Sequence, residues 1–368
     1  MTAHRCRGCG SDRLTTVLDL GSVPAADHFP EFDESTVAED ARHALAMVLC
    51  TDCSLAQLAD DDTVTDEPRG IEPKALTDQA AEAVAVVANS GWLRGETVRE
   101  FGSPHGGTWL PLLAARGVRD AEPGRPANVV LDCFGIMHEP DQADAFASRA
   151  AALATDGVLL IQFHTLTAIV GDNQWNALRH GHFAYYSLTS LAGLLGRAGL
   201  VARSAWTFDL YGGTILVAAT RTGVPDASVG AILDAEAAAG IGDASTVGTL
   251  QAAVDADISL LTDSLADMRE AGKTVYAYGA ASRAVALFAI AGLTRSLLGA
   301  VADASPSKQG RRMPGTDIPI IAPSQLIAAE PDVVLLTLPD LLGELEQSMP
   351  ELRGRWWVHG TDIREGTR

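Results

Sequence analysis

Four cysteines in two pairs, Cys6 and Cys9 in "CRGC" and Cys50 and Cys53 in "CTDC", speak most directly of chemistry. Two residues between thiols let both sulfurs of one turn reach the same ion. Four thiolates with no position left for water describe a structural, tetrahedral zinc site. The fifth cysteine, Cys133, lies in an apolar run and reads as an ordinary buried thiol. A second constellation is "RHGHFAYY", which gathers Arg179, His180, His182 and Tyr186 within eight residues. An imidazole with a pKa near ~6.5 can take a proton from a carbon beside a ketone, provided the developing enolate oxygen is stabilised. Arg179 or His180 suits that second task. His138 in "CFGIMHEPD" and His164, which closes "LLIQFH", supply further imidazoles at points where strands end.

Four glycine-containing segments complete the candidates. "EFGSPHGG", residues 100–107, opens like the cofactor-cradling turn of a Rossmann-type domain. "YAYGAASR" puts Tyr278, Gly279 and Ala280 at a strand-to-helix turn whose N–H groups suit a phosphate, with Ser282 and Arg283 as side-chain donors. "DASPSKQGRRMPG" brings Asp303, Lys308, Gln309, Arg311 and Arg312 together, a basic cluster that fits a nucleotide diphosphate. "LYGGT" adds Tyr211 as a pocket candidate.

These residues belong to a chain of 368 residues with 47% hydrophobic and 20% charged residues, the balance of a globular protein. That length predicts two or three domains. The net charge of −20 argues against nucleic acid as a partner. No apolar run approaches the ~18 to 20 residues that cross a bilayer, and the start "MTAHRCRGCG" carries no signal-like apolar core, so a cytoplasmic enzyme without membrane contacts is expected. The oligomeric state is not legible.

The elements that must position the candidates fall into three regions. Residues 1–85 hold the cysteine pairs and an acidic stretch, "ADDDTVTDEPRG", which reads as a solvated loop. Residues 86–225 alternate short apolar runs ("VREFG", "NVVLDCFG", "GVLLIQFH", "TILVAAT") with Ala-rich helical segments, the pattern of a buried α/β sheet. Residues 226–368 begin with a long helical stretch and repeat the strand–turn–helix rhythm. The expected fold is α/β, with a zinc-binding domain, a central Rossmann-like domain and a C-terminal Rossmann-like domain.

With these motifs assembled, the chain resembles the three-domain sugar C-methyltransferases, enzymes that methylate nucleotide-linked keto-deoxysugars in antibiotic biosynthesis. "CRGCGSDRLTTVLDLGSVPAADHF…LCTDCSLAQL" is similar to the family's zinc domain, and "YGAASRAVAL…DASPSKQGRRMPGTDIPI" is similar to its sugar-nucleotide domain. The resemblance implies a central domain that binds S-adenosylmethionine (SAM), a histidine base that enolises the keto sugar, and a sugar-nucleotide substrate. It carries the base onto His182. His138 and Asp141 fall on a family histidine and acid, and Tyr211 on the family's "HGG" turn. Glu100, Gly102, Ser103 and Gly106 match the motif E-x-G-S-x-D-G, with His105 where the family has an acid, and Glu122 is the candidate ribose acid.

The chain also departs from the family. "EP" at 122–123 is followed almost at once by "ANVV", where the family spends a further helix and strand, about 30 residues of one βαβ unit. A Tyr-rich family segment is replaced by "VTDEPRGIEPKALTD". The family glutamate and asparagine give way to Gly181 and Phe134. The expectation is an enzyme that keeps sugar binding and enolisation and omits methyl transfer, an epimerase or isomerase. Genuine SAM-dependent C-methyl transfer and a non-catalytic sugar-nucleotide binder stay open.

Overall fold

A computed structural model describes residues 5–32, 40–63, 72–104 and 106–361. His105 and residues 64–71, which carry part of the segment that replaces the family's tyrosines, lie outside the described residues. The N-terminal region forms β1 (Leu14–Pro24), β2 (Arg42–Cys50) and β3 (Ala56–Leu58), an antiparallel meander. The two cysteine turns flank it, before β1 and after β2.

The central region runs α1 (Lys74–Asn89), β4 (Thr97–Phe101), α2 (Leu110–Ala114), β5 (Arg119–Asp120), β6 (Ala127–Cys133), α3 (Gln142–Ala151), β7 (Leu153–His164), α4 (Leu166–Gly171), β8 (Ala184–Tyr185), α5 (Leu188–Arg197), β9 (Val201–Phe208) and β10 (Thr214–Thr220). Its sheet has the order β5-β4-β6-β7-β10-β9. The first four strands are parallel, and β10 inserts antiparallel between β7 and β9. The runs "NVVL" and "GVLLIQF" form its buried middle, as their uninterrupted apolar character requires. Asp141, matched by resemblance to a family acid, caps α3 by accepting the N–H of Asp144. As expected from "EPGRPANVV", β5 passes to β6 without another helix or strand, so the two-residue β5 is the sheet edge.

Strand β8 does not join that sheet. It pairs antiparallel with β3, Ala56 opposite Tyr185 and Gln57 opposite Ala184, and becomes the fourth strand of the zinc-region sheet. A hydrogen bond from Leu58 N to Phe183 O (3.2 Å) extends the graft, and one from Phe183 N to Met137 O (2.7 Å) ties the segment back to the central unit.

The C-terminal region comprises α6 (Ala227–Ala239), α7 (Ala244–Val247), α8 (Thr249–Glu270), β11 (Val275–Tyr278), α9 (Ser282–Ile290), β12 (Val301–Ala302), β13 (Ile320–Ile321), α10 (Pro323–Ala329), β14 (Val333–Leu336), α11 (Leu342–Ser348) and β15 (Trp356–Val358). Its sheet, β13-β12-β11-β14-β15, is wholly parallel. Chain order reverses between β11 and β14, the switch point where such sheets open a crevice. Helix α6 packs on the central unit, where Glu236 accepts the N–H groups of Leu188 and Thr189 at the start of α5 (2.7 and 2.8 Å). The zinc-region sheet and the C-terminal unit share one core, with Leu18, Met47 and Phe29 packed among Leu261, Leu265, Ala284 and Phe288. No helix among the described residues is long and apolar enough to cross a membrane.

Candidate active site and metal centre

The four sulfurs of Cys6, Cys9, Cys50 and Cys53 lie within 4.8 Å of one another, with 3.5 Å from Cys6 to Cys53 and 3.6 Å from Cys9 to Cys50. Zinc–sulfur bonds of ~2.3 Å place tetrahedral ligands about 3.8 Å apart, so the cluster fits the ion. Cys6 and Cys50 are buried beside Leu55 and Leu191, which leaves the ion a packing role.

A cavity of about 230 Å³ opens at the carboxyl ends of β4, β6 and β7 and is closed from the other side by the C-terminal unit. His138, Arg179, His182 and Tyr211 line it from the central unit, Ser282, Arg283 and Lys308 from the C-terminal one. His182 is buried, and its Nε2 accepts a hydrogen bond from Arg179 Nε at 2.8 Å. His138 stands edge-on to it, with ring centroids 4.3 Å apart, and donates from Nδ1 to the Gly181 carbonyl (2.9 Å). Gly181 has φ +77°, a conformation glycine takes without strain, which accounts for glycine at this turn. Tyr185 stacks against His182, and its hydroxyl accepts the Arg179 N–H (3.1 Å).

Two aromatic residues in the cavity wall hold strained backbone. Phe134 (φ +58°) and Tyr211 (φ +59°) occupy the left-handed region and meet edge to face, 5.8 Å between centroids. Such conformations cost about 1–3 kcal/mol each and persist where the surroundings enforce them. For Phe134 the enforcement is visible. Asp132, fully buried, accepts the N–H groups of Gly135 and Ile136 at 2.9 Å and pairs with the buried Arg149 (Nε to Oδ2, 2.9 Å).

Cationic groups dominate the C-terminal wall. Burial and the neighbouring Arg179 push Arg283 down to about 10, still cationic at neutral pH, and it makes no salt bridge among the described residues. Lys308 is buried over the Phe29 ring and donates to the Ala280 carbonyl (2.9 Å). A second cavity of about 470 Å³ shares Tyr211 and Arg283 and extends over Thr337, Pro339 and Asp340, at the switch point between β11 and β14.

Several expected site residues lie elsewhere. His180 points away from His182 into the zinc-region sheet, where Nε2 meets the Ala44 carbonyl (3.2 Å) and its ring stands edge-on to His43. The turn closes with His182 N–H on the Arg179 carbonyl (3.4 Å), which brings Arg179 and His182 together and leaves His180 on the zinc-region sheet. Tyr186 is wholly buried with its hydroxyl on Gln142 Oε1, among Phe146 and Phe163. In the basic cluster, Arg311 donates to the Phe29 carbonyl (2.6 Å), Arg312 pairs with Asp40 (Nη2 to Oδ1, 2.7 Å), and Asp303 accepts the N–H groups of Ala280 and Ser305. Gln309 donates to the Asp303 carbonyl, and Tyr278 packs edge-on to Trp356. These groups hold the C-terminal unit together or fasten the N-terminal region to it, and none lines the cavity. Gly279 (φ +98°) brings its backbone so near Thr337 that a Cβ would meet Oγ1 at 2.9 Å, and its carbonyl accepts that hydroxyl.

Of the residues expected around a methyl donor, Ser103 and Gly106 reach the cavity. The Glu100 carboxylate is taken by its own loop, accepting the Thr108 hydroxyl (2.5 Å) and the Trp109 N–H (2.9 Å). Open space surrounds Gly102, where a Cβ would meet nothing within 4 Å. Glu122 is exposed beyond the sheet edge, and its carbonyl accepts from Arg99 (2.7 Å), which ties the β5–β6 link down. Among the described residues β5 is the edge strand of the central sheet, and no helix or strand separates it from β6.

Sequence reasoning does not find Asp61. Its carboxylate, inside the stretch expected to be solvated, accepts the Gly181 N–H at 2.7 Å and so grips the turn that carries His182. A run of aspartates looks the same whether it faces water or caps a turn, so no signal distinguishes it.

An N-terminal unit with a four-cysteine cluster, a central α/β sheet and a parallel C-terminal α/β sheet closing over a histidine-bearing cavity describe an α/β enzyme. The family model "C-methyltransferase C-terminal domain" matches residues 209–358, and "Putative zinc binding domain" matches residues 6–65. C-methyltransferase NovU of Streptomyces niveus is 28% identical over 410 aligned positions, covering 96% of this chain and 94% of that protein. Together these matches support the sugar C-methyltransferase family for this chain. Solved structures similar to it include a SAM-dependent methyltransferase, possible histamine N-methyltransferase, from Thermotoga maritima (15% identity, 40% of this chain and 91% of that one, TM-score 0.31). Another is a methyltransferase from Bacillus halodurans (12% identity, 38% and 99%, TM-score 0.29).

Proposed function

We propose that this chain binds a nucleotide-linked keto-deoxysugar and enolises it with His182, without methyl transfer from SAM. The keto sugar occupies the 230 Å³ cavity, the diphosphate lies at Arg283, and the nucleoside extends into the 470 Å³ cavity. In the ligand-free state Arg179 Nε holds the His182 Nε2 lone pair. An enolate oxygen forming nearby competes for that guanidinium, so the group that stabilises the oxyanion also releases the base. The C–H bond beside the ketone breaks, its electron pair becomes the C=C bond of the enolate, and the proton passes to His182. Return of a proton to the opposite face yields the epimer.

The observation that carries this reading is the unequal state of the two halves. The base His182 and the cations Arg179, Arg283 and Lys308 converge on the proposed sugar side, while β5 is joined directly to β6 at the edge of the donor side. The identity with NovU over nearly the whole chain favours a second reading, SAM-dependent C-methylation. Incubation with a dTDP-linked 4-keto-6-deoxyhexose in D2O, with and without SAM, separates them by mass. Deuterium uptake without SAM, lost in His182→Ala, is expected. A methylated product formed only with SAM, and no exchange in its absence, overturns the first reading in favour of the second.

A further inference from the structure

Epimerisation requires a second group, one that returns a proton to the face opposite the base. Tyr211 lines the same 230 Å³ cavity as His182 but belongs to a different wall. His182 is backed by Tyr185, stacked on it, and by His138, edge-on. Tyr211 packs against Phe134 (5.8 Å between centroids) and His164 (5.9 Å), with the Arg283 guanidinium 5.9 Å from its ring. Its backbone is pinned on both sides. The N–H donates to Asp340 Oδ1 (3.2 Å) and the carbonyl accepts from Gln174 Nε2 (3.0 Å), which fixes the left-handed conformation that presents the ring. The side chain is half-buried, and its hydroxyl, bonded to nothing among the described residues, keeps access to the cavity.

We infer that Tyr211 is a catalytic residue whose phenol gives a proton to the enolate carbon on the face opposite His182. The inference rests on the enolisation reading of the cavity. The phenol O–H bond breaks and its electron pair stays on oxygen. The C=C pair of the enolate forms the new C–H bond, and the carbonyl is restored. Imidazolium and phenolate are left, and proton exchange with water resets both. Burial pushes the Tyr211 phenol above its ordinary 10, so it carries its proton at neutral pH, while Arg283 and Arg179 favour the phenolate that the step leaves. Other polar groups of the cavity suit the task less. Lys308 and Tyr185 donate to the carbonyls of Ala280 and Ala177, and Glu72 is exposed. Cys133 lies by Asp132 and Glu100, both of which oppose a thiolate.

The test follows a dTDP-4-keto-6-deoxyhexose in D2O by NMR, reading deuterium in the starting epimer and formation of the other epimer. In the wild type both should appear. Tyr211→Phe should keep deuterium uptake into the starting epimer, because His182 still removes and returns a proton on its own face. It should lower epimer formation about a hundredfold or more. Tyr211→His, which again offers a proton, should restore part of that loss. Calorimetry with dTDP shows that the variants keep the fold and the nucleotide site. Epimer formed by Tyr211→Phe at the wild-type rate overturns the inference, and so does a parallel loss of exchange and epimer in variants that still bind dTDP. Wild-type exchange without any epimer overturns this step alone, whereas no exchange at all overturns the enolisation and this step together.

Discussion

Arg149→Met should break the structure that holds Phe134 and His138 in the cavity wall. The Arg149 side chain is 4% exposed and its partner Asp132 0%, joined Nε to Oδ2 at 2.9 Å. Burial pushes the Asp132 carboxyl above its ordinary range even with Arg149 beside it. Methionine keeps much of the packing against Phe101, over whose ring the guanidinium lies, but leaves a buried carboxylate without its counter-charge. Removing one partner of a buried pair costs about 3–5 kcal/mol. The lost contact to the half-exposed Glu139 adds about 0–1 kcal/mol. For a unit of this size that is a melting shift on the order of 10 °C. The double variant Asp132→Asn/Arg149→Met should recover much of the loss, because asparagine can still accept from Gly135 and Ile136 while burying no charge. The assay is chemical denaturation followed by tryptophan fluorescence, set out as a double-mutant cycle. Additive losses below ~1 kcal/mol would refute the argument.

Three further outcomes are expected. Zinc removal by chelation, or Cys50→Ser, should loosen residues 179–186 along with the cysteine turns, read as faster hydrogen exchange there, because β8 is the fourth strand of the zinc-region sheet. Asp61→Ala should lower kcat for deuterium exchange about tenfold to a hundredfold with KM little changed, and Asp61→Asn should rescue part of it, since the loss is of one acceptor on the Gly181 N–H. Burial pushes the His180 imidazole below its ordinary 6.5, so the unfolded chain binds more protons there than the folded one. The stability this contributes is present in full above 6.5 and is lost as pH falls from there through the lower folded value. Thermal melts between pH 7.5 and 5.5 should therefore fall more steeply for the wild type than for His180→Gln.

What the sequence discloses depends on how narrowly chemistry confines a residue. The zinc ligands are legible because few residue types bind the ion and the two-residue gap serves one turn. The missing βαβ unit is legible because a strand cannot start so soon after another if a helix must intervene. His182 and His138 are found by resemblance, and they meet in the folded chain. His180 is lost to local geometry, since the turn pairs Arg179 with His182 and leaves His180 on the Ala44 carbonyl. Arg311 and Arg312 are lost because a guanidinium that fastens a carbonyl or Asp40 has the same composition as one awaiting phosphate. The left-handed backbone at Phe134 and Tyr211 leaves no trace in residue type, because tertiary contacts impose it against preference.

The grafting of β8 onto β3 bears on how such enzymes could be recombined. A chimera that exchanges residues 1–85 alone would sever the sheet that holds the His182 turn, while one that exchanges the central unit alone would import a turn built for another sheet. The heritable unit is thus the N-terminal meander together with the segment around residues 179–186, although about a hundred residues separate them in the chain. Grafting experiments that respect that pairing should yield folded hybrids, where cuts at the apparent domain boundaries should not.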